Sequence, residues 1–510
     1  MADVLLGIDG GTSAAKVCVF TPEGRLLRTT RRSTPVITAY RGWAEIDADQ
    51  CWQAIADALA EALRPGERVL SVGLTGTCPT IVLMDGDLRP VRPAILYLDN
   101  RGGGEIAGIE RALGGKDAFF ARTGNHLAPS VCVAATLRWL QRNEPQVWSR
   151  VRHVGFLTTF IGSRLTGILA ADPTHASYSG VFNLRGDPLS WDADLCRDLG
   201  IERGLLPPIS PSYACAGRVT AAAAQRTGLL EGTPVSAGAA DTAAAALAVD
   251  FVQPRSAFES MGTSGVITFC LDTPDFDDSF LNRCHVVPGL WLAHGAMSTF
   301  GGALAWLRHK IWPETSSFAE LEELAAESLP GANGVLFLPY LSGERSPIWD
   351  SNASGCWVGL RLDTTKADMV RAVFEGGAYG LRQILSRGER HWGWKPDTLL
   401  SVGGGTRSRI WYQIKADILD VCYLPADLPD ATAMGAAILG GIASGAYRGI
   451  DDPQLPKVET PRETVRPGCP KHRKVYDEMS RIYDDLYPAL KTGMARIAGV
   501  GFSPDPMRFE

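Results

Sequence analysis

The chain has no pair of cysteines at CxxC spacing, although eleven cysteines are scattered over its 510 residues. A zinc ribbon or a thioredoxin-like site is therefore unsupported. The odd count in so long a chain points to free thiols in a reducing compartment rather than a disulfide framework. No stretch approaches the roughly 20 consecutive apolar residues that cross a bilayer. Histidine is scarce, with eight residues dispersed along the chain, and no HExxH zinc motif occurs. The Walker A pattern and the G-x-S-x-G nucleophile elbow are also missing. In Gly403-Gly404-Gly405-Thr406-Arg407-Ser408 a serine takes the last glycine position of a Rossmann fingerprint, so that reading fails. The formal net charge of −6 provides no electrostatic attraction to nucleic acid or to an anionic membrane. The first residues carry an acid and no basic segment before an apolar run, so the expectation is no signal peptide and a cytoplasmic location.

What is present is ordinary in amount and informative in order. At 510 residues the chain exceeds what one hydrophobic core supports, and two domains are expected. Hydrophobic residues make up 45% and charged residues 21%, as in globular proteins generally. The runs Val4–Ile8 and Lys16–Phe20 flank a glycine-rich turn. They predict a β-hairpin, with Arg25–Leu27 as a third strand. Trp52, Ile55, Ala56, Leu59, Ala60 and Leu63 recur at helical spacing, with Asp47 or Asp49 as the cap. Strands follow at Val69–Leu74 and Ile81–Met84, and the continued alternation argues an α/β fold. Gly262-Thr263-Ser264 echoes Gly11-Thr12-Ser13, again between two β-like runs and about half a chain away. The echo suggests two related halves, 1–252 and 253–510.

Four segments can carry chemistry. Asp9-Gly10-Gly11-Thr12-Ser13 can present amides and hydroxyls to an anion, with Asp9 placed to serve Mg²⁺; a plain hairpin turn is the other reading. Gly262-Thr263-Ser264-Gly265 admits the same two readings. Asp241 ends a strand and opens an alanine-rich helix, where it is either an N-cap or a base for a substrate hydroxyl. Gly403, Gly404 and Gly405 permit close approach of a flat base or ribose, or make a flexible strand-to-helix turn. His285 and His294 lie in apolar surroundings and read as structural hydrogen-bonding residues.

Taken in order, these segments join Gly42-Trp43-Ala44-Glu45, Pro93 to Arg101, Arg164-Leu165-Thr166-Gly167, Phe337-Leu338-Pro339-Tyr340-Leu341-Ser342-Gly343-Glu344-Arg345-Ser346-Pro347, Arg371 to Gly376 and Gly435-Ala436-Ala437. The set resembles the FGGY carbohydrate kinases, and among them the xylulose kinases, over residues 4–445. The resemblance implies two actin-like, ribonuclease H-like domains of the hexokinase and actin superfamily around a central cleft. The sugar and the base would lie on the first domain (1–252) and ATP largely on the second (253–510). It implies Asp241 as general base and Asp9 at the Mg²⁺ and phosphate end. Phosphate contacts would come from Gly11, Thr12, Ser13, Gly262, Thr263 and Ser264. Gly403, Gly404, Gly405 and Gly435 would border adenosine, and Cys78, Pro79, Asp99 and Arg101 the sugar. ATP and Mg²⁺ are the implied cofactors, a small sugar or polyol the partner, and a homodimer the assembly the family suggests.

The chain departs from xylulose kinases where it would face the sugar. Their Gln-Met-His-Gly is replaced by Thr77-Cys78-Pro79-Thr80, and proline has no side-chain donor or acceptor. Thr158-Thr159-Phe160 stands for Lys-Asp-Tyr, Thr242 for the asparagine after the base, and Thr136 for a lysine. The expected reaction is therefore phosphorylation of a terminal hydroxyl on a small ketose or polyol, with ribulose or a tetritol as alternatives to xylulose. A different class of function is an ATP-binding conformational protein of the actin or chaperone type, which would have no need of Asp241 or of the 342–347 string.

Overall fold

Val4, Leu5, Leu6 and Ile8 are all buried in β1 (Ala2–Gly10), as a continuous apolar run requires of a strand covered on both faces. In the computed structural model, which describes residues 2–40, 42–315, 317–403, 408–426, 428, 430–456 and 463–500, β1 turns back antiparallel into β2 (Ala14–Phe20). β2 in turn pairs with β3 (Leu26–Ser33), giving the expected hairpin and its third strand. Asp47 caps α1 (Ala48–Ala62) by accepting from Gln50 N–H, and α1 buries Trp52, Ile55, Ala56 and Leu59. β4 (Glu67–Gly76) lies parallel to β1, with Asp9 level with Thr75 and Gly10 level with Gly76. β5 (Cys215–Arg218), β6 (Pro234–Ser236) and β7 (Ala239–Ala240) complete a sheet of order β3-β2-β1-β4-β6-β5, with β7 also on β4. Because Ala240 is level with Gly76 in parallel register, β1, β4 and β7 all end together. α2 (Asp241–Ala248) starts there.

A second sheet contains β8 (Ser256–Met261), β9 (Gly265–Leu271), β10 (Thr398–Gly403) and β11 (Cys422–Ala426) in the order β9-β8-β10-β11. β8 and β10 are parallel, as are β10 and β11. The first sheet contains the same run, β2-β1-β4-β6, with the same two parallel pairings. The Gly-Thr-Ser echo thus marks a repeated topology.

The chain divides into two compact units. Met1–Pro254, Cys270–Ala293 and Pro429–Glu459 make one, and Arg255–Phe269, His294–Leu428 and Thr460–Glu510 the other. The first crossing falls close to the 252/253 boundary read from the sequence. Two later segments, however, return to the first unit, which a single cut cannot represent. Within the second unit, Glu259 of β8 meets Lys415 Nζ at 2.6 Å, both fully buried, and accepts from Ser401 Oγ of β10 at 2.5 Å. This locks β8 to β10 just before the Gly262 turn. No described helix is long and apolar enough to cross a membrane.

The returning helix α3 (Ala431–Ser444) is made almost wholly of small and aliphatic residues and packs closely enough on the first unit to exclude side chains. A Cβ on Gly7 would stand 1.9 Å from Ala433 O, one on Gly73 1.6 Å from Ala436 O, and one on Gly435 1.8 Å from Ala244 O of α2. All three neighbours are backbone and cannot yield without moving an element. Gly73→Ala should therefore cost more than the roughly 1–3 kcal/mol of ordinary overpacking. The expected outcome is a large fall in melting temperature or loss of folded protein; a melting curve matching the parent would disprove this packing.

Candidate functional site

Asp9, the penultimate residue of β1, is buried, and its Oδ2 accepts from Thr432 Oγ1 of α3 at 2.8 Å. Burial raises its carboxyl to about 6. The Thr432 bond works against that rise, the Asp241 charge adds to it, and Lys16 and Asp430 act in opposite senses. Lys16 sits across the hairpin from Asp9 and donates to Asp430 Oδ1 at 2.9 Å. The turn closes through Gly11 N–H to Ala14 O at 3.1 Å. Gly11's amide is thus committed internally, Thr12 Oγ1 donates to Thr77 Oγ1 at 3.3 Å, and Ser13 is exposed.

Asp241 is the first residue of α2, half-buried, and is not an N-cap: the cap position is Ala240. Its Oδ1 accepts from its neighbour Thr242, from N–H at 2.7 Å and Oγ1 at 3.1 Å. Its position is fixed one residue earlier. Ala240 N–H donates to Thr174 Oγ1 at 2.7 Å, and Thr174 Oγ1 donates to Asp172 Oδ1 at 2.5 Å. Asp172 Oδ2 lies 2.7 Å from His175 Nδ1, completing a fully buried cluster. The Asp241 charge reaches Asp9, the Cys78 thiol and Arg283. Pro79 is buried behind a half-buried Cys78, joined to it by a cis peptide. Burial pushes the Cys78 thiol far up, with Arg283 pulling the other way and Asp241 and Asp172 adding to the rise. Cys78 is therefore a neutral thiol and no nucleophile.

In the second unit the Gly262–Gly265 turn is held from several sides. Gly262 N–H donates to Ser264 O, Thr263 O accepts from Phe300 and Gly302, and Gly262 O accepts from Gly301. Arg345 Nη2 donates to Ser264 Oγ at 3.1 Å and to Met297 O at 2.9 Å. Beside it Glu344 accepts from Ser298 N–H at 2.6 Å and Arg345 N–H at 2.7 Å, and burial pushes its carboxyl up to about 7. The Glu344-Arg345 pair in the long 337–347 string therefore acts as the frame of this turn. Gly262 and Thr263 remain exposed and Ser264 half-exposed.

Other expected site residues fall elsewhere. Asp99 and Arg101, read as sugar contacts, are buried and occupied with each other and with Glu45; Arg101 also lies 3.8 Å over the Trp43 ring. With side chains 0–1% exposed, they present no face to a sugar and instead hold Ala44 N–H and Trp43 in place. Gly403 has φ 113° and a Cβ there would meet Met261 O at 2.0 Å, so strand contact alone accounts for this glycine. Gly404 and Gly405 lie outside the described residues. Gly435, read as an adenosine contact, is in the first unit, and its packing on Ala244 explains its lack of a side chain. His285 bridges Phe251 O and Val287 N–H, and His294 Nδ1 meets Thr268 Oγ1 at 2.9 Å, the structural roles expected of both.

The profile of the FGGY family of carbohydrate kinases, N-terminal domain, matches residues 4–248, and that of its C-terminal domain residues 257–444. The chain belongs to this family. It is a sugar kinase with the family's two-domain, actin-like α/β fold. It is 29% identical over 497 residues to a xylulose kinase of Staphylococcus epidermidis, covering 96% of this chain and 97% of the relative. It is 26% identical over 463 residues to a gluconokinase of Bacillus subtilis, covering 88% and 90%. The crystal structure of xylulose kinase from Rhodospirillum rubrum superposes with a TM-score of 0.86 at 33% identity, covering 96% of this chain and 100% of that one.

Two features near Asp241 were not visible in the sequence. Asp172-Pro173-Thr174-His175 reads only as a capped helix start, and nothing in it points to residue 240. Arg283 was the other: an arginine in the short segment Phe280–Val286, which also contains Asn282 and His285.

No group of three or more acids, histidines or cysteines fit to hold a metal occurs among the described residues. Mg²⁺ takes one or two carboxylates and completes its shell with water and phosphate oxygens, and the Asp9 carboxyl is a group that could hold it in this way. Its Oδ1 has no partner among the described residues, and burial makes its charge costly without a cation. The sign follows. A carboxyl raised from 3.8 to about 6 contributes stability fully present below pH 4 and lost as pH rises through 6. Metal-free Asp9→Asn should accordingly melt higher than the parent at pH 8, with the gap closing at pH 4. Equal melting temperatures at pH 8 would contradict it.

Proposed function

We propose that this kinase transfers phosphate from ATP to a terminal hydroxyl of a small ketose or polyol, with Asp241 as the general base. The observation that carries the reading is the position of Asp241. It stands where three strands end together, beside Asp9, held by the Ala240–Thr174 bond, with Oδ2 unpartnered among the described residues. In open α/β sheets, ligands bind outside the carboxyl ends of the strands. A carboxylate there accepts the proton of an attacking hydroxyl as the new O–P bond forms. Asp9 would hold Mg²⁺ directly or through water, and the ion would neutralise charge on the transferred phosphoryl group. Ser13 in the turn of the first unit and Thr263 in the turn of the second each offer a hydroxyl, unpartnered among the described residues, to phosphate oxygens. The rigid hydrogen bonding of both turns means these donors need little reorganisation.

The sugar is a separate matter. Relatives at comparable identity are named for xylulose and for gluconate phosphorylation. Cys78 and Pro79, beside Asp241, provide a neutral thiol and a ring without donors, so sugar hydrogen bonds must come from other groups.

Asp241→Asn should lower sugar-dependent ADP release by about 10²–10⁴-fold while nucleotide binding persists. Near-normal turnover would remove the base assignment. Pro79→His should change the ranking of a panel of pentuloses, hexuloses, tetritols and aldonates. An unchanged ranking would place that residue away from the substrate.

A further inference from the structure

Arg283 lies in the strand Leu281–Cys284, all of whose residues are buried. Asn125 pins this strand by donating to Asn282 O at 2.7 Å and accepting from Asn282 N–H at 2.9 Å. Its next residue, Cys284, donates N–H to Ser177 Oγ at 3.0 Å. Ser177 directly follows the short helix Pro173–Ala176, whose Thr174 anchors Ala240. One buried helix therefore holds Arg283 on one side and the start of α2 on the other.

The Arg283 guanidinium is 3% exposed as a residue and sits 4.2 Å over the Tyr178 ring, with Nε donating to Tyr178 Oη at 3.2 Å. Its Nη1 is buried with no hydrogen-bond partner, and no carboxylate lies within ion-pair distance among the described residues. Its near neighbours are neutral: burial holds both the Tyr178 phenol and the Cys78 thiol protonated. The carboxylate whose charge reaches it is Asp241, which the reaction needs free. Buried charges are ordinarily paired and buried donors satisfied. An arginine with no carboxylate partner and an unmet Nη1 donor, within reach of the Asp241 charge, is open to a complement from outside the protein.

We propose that Arg283 is a specificity-determining residue of the sugar site, donating from Nη1 to an acceptor oxygen of the same substrate whose hydroxyl Asp241 deprotonates. This rests on the kinase reading above and adds the recognising group that Cys78 and Pro79 cannot provide. The shared chemistry is an oxygen acceptor. A carboxylate on a sugar acid matches the unpaired charge and the fork geometry of a guanidinium, and the carbonyl or hydroxyl oxygen of a neutral ketose or polyol is the other source.

The test compares the full-length parent with Arg283→Met and Arg283→Lys, without nucleotide, by thermal melting and by calorimetric titration with ketoses, polyols and aldonates of equal chain length. Arg283→Met removes an unpaired buried charge at similar volume. It should melt at or above the parent temperature while binding the preferred ligand at least tenfold more weakly. A larger loss for aldonates than for neutral ligands, partly restored by lysine, identifies the acceptor as a carboxylate; a uniform loss identifies a neutral oxygen. A melting temperature well below the parent, or unchanged affinity for every ligand, overturns the proposal, since either marks Arg283 as purely structural. Because no nucleotide is present, these outcomes are independent of whether Asp241 is the base, which turnover alone reports.

Discussion

The first unit depends on how closely α3 approaches the sheet. Helix backbone sits where side chains of β1, β4 and α2 would otherwise project, an arrangement possible only because Gly7, Gly73 and Gly435 have none. Two consequences follow for the site. Thr432, near the start of α3, is delivered to Asp9, and α2, which begins with Asp241, is packed against the same helix through Ala244. The two acids thus share one support, though they are 232 positions apart in the chain and α3 is further away still. Packing density in a core of this kind leaves little room for relaxation, so the distance between the acids is set by backbone, not by flexible side chains.

Within each unit some buried polar groups are held at a cost to stability. Asp9 is buried with a single hydroxyl donor, Arg283 is buried with a single phenol acceptor, and Glu344 is buried with one oxygen unpartnered among the described residues. Elsewhere the buried charges have partners of opposite sign: Arg101 pairs with Asp99 and Glu45, and Lys415 with Glu259. Arg283 differs from these in having no such partner among the described residues.

The hairpin, its glycine turn, the capped helix after it and the paired Gly-Thr-Ser segments were legible because each depends on local chemistry: apolar runs, turn residues and capping acids a few positions apart. The surroundings of Asp99, Arg101 and Gly435, which the resemblance placed at the ligands, are not local in this sense. Only the arrival of Glu45 and Trp43 from an earlier segment shows Asp99 and Arg101 engaged with protein groups, and Gly435 packs on a helix nearly two hundred residues earlier.

By itself the sequence determined the α/β class, the family, the repeated strand-turn-strand units and the identity of Asp9 and Asp241 as the acids of interest. The tertiary structure alone decided that residues 270–293 and 429–459 belong with the first unit, that Thr174 holds the residue before Asp241, and that Arg283 is left with an unmet donor. The reason is physical. Turn and strand propensities act within a few residues and can be read in order, whereas burial, charge compensation and backbone contact depend on which distant segments come to lie side by side.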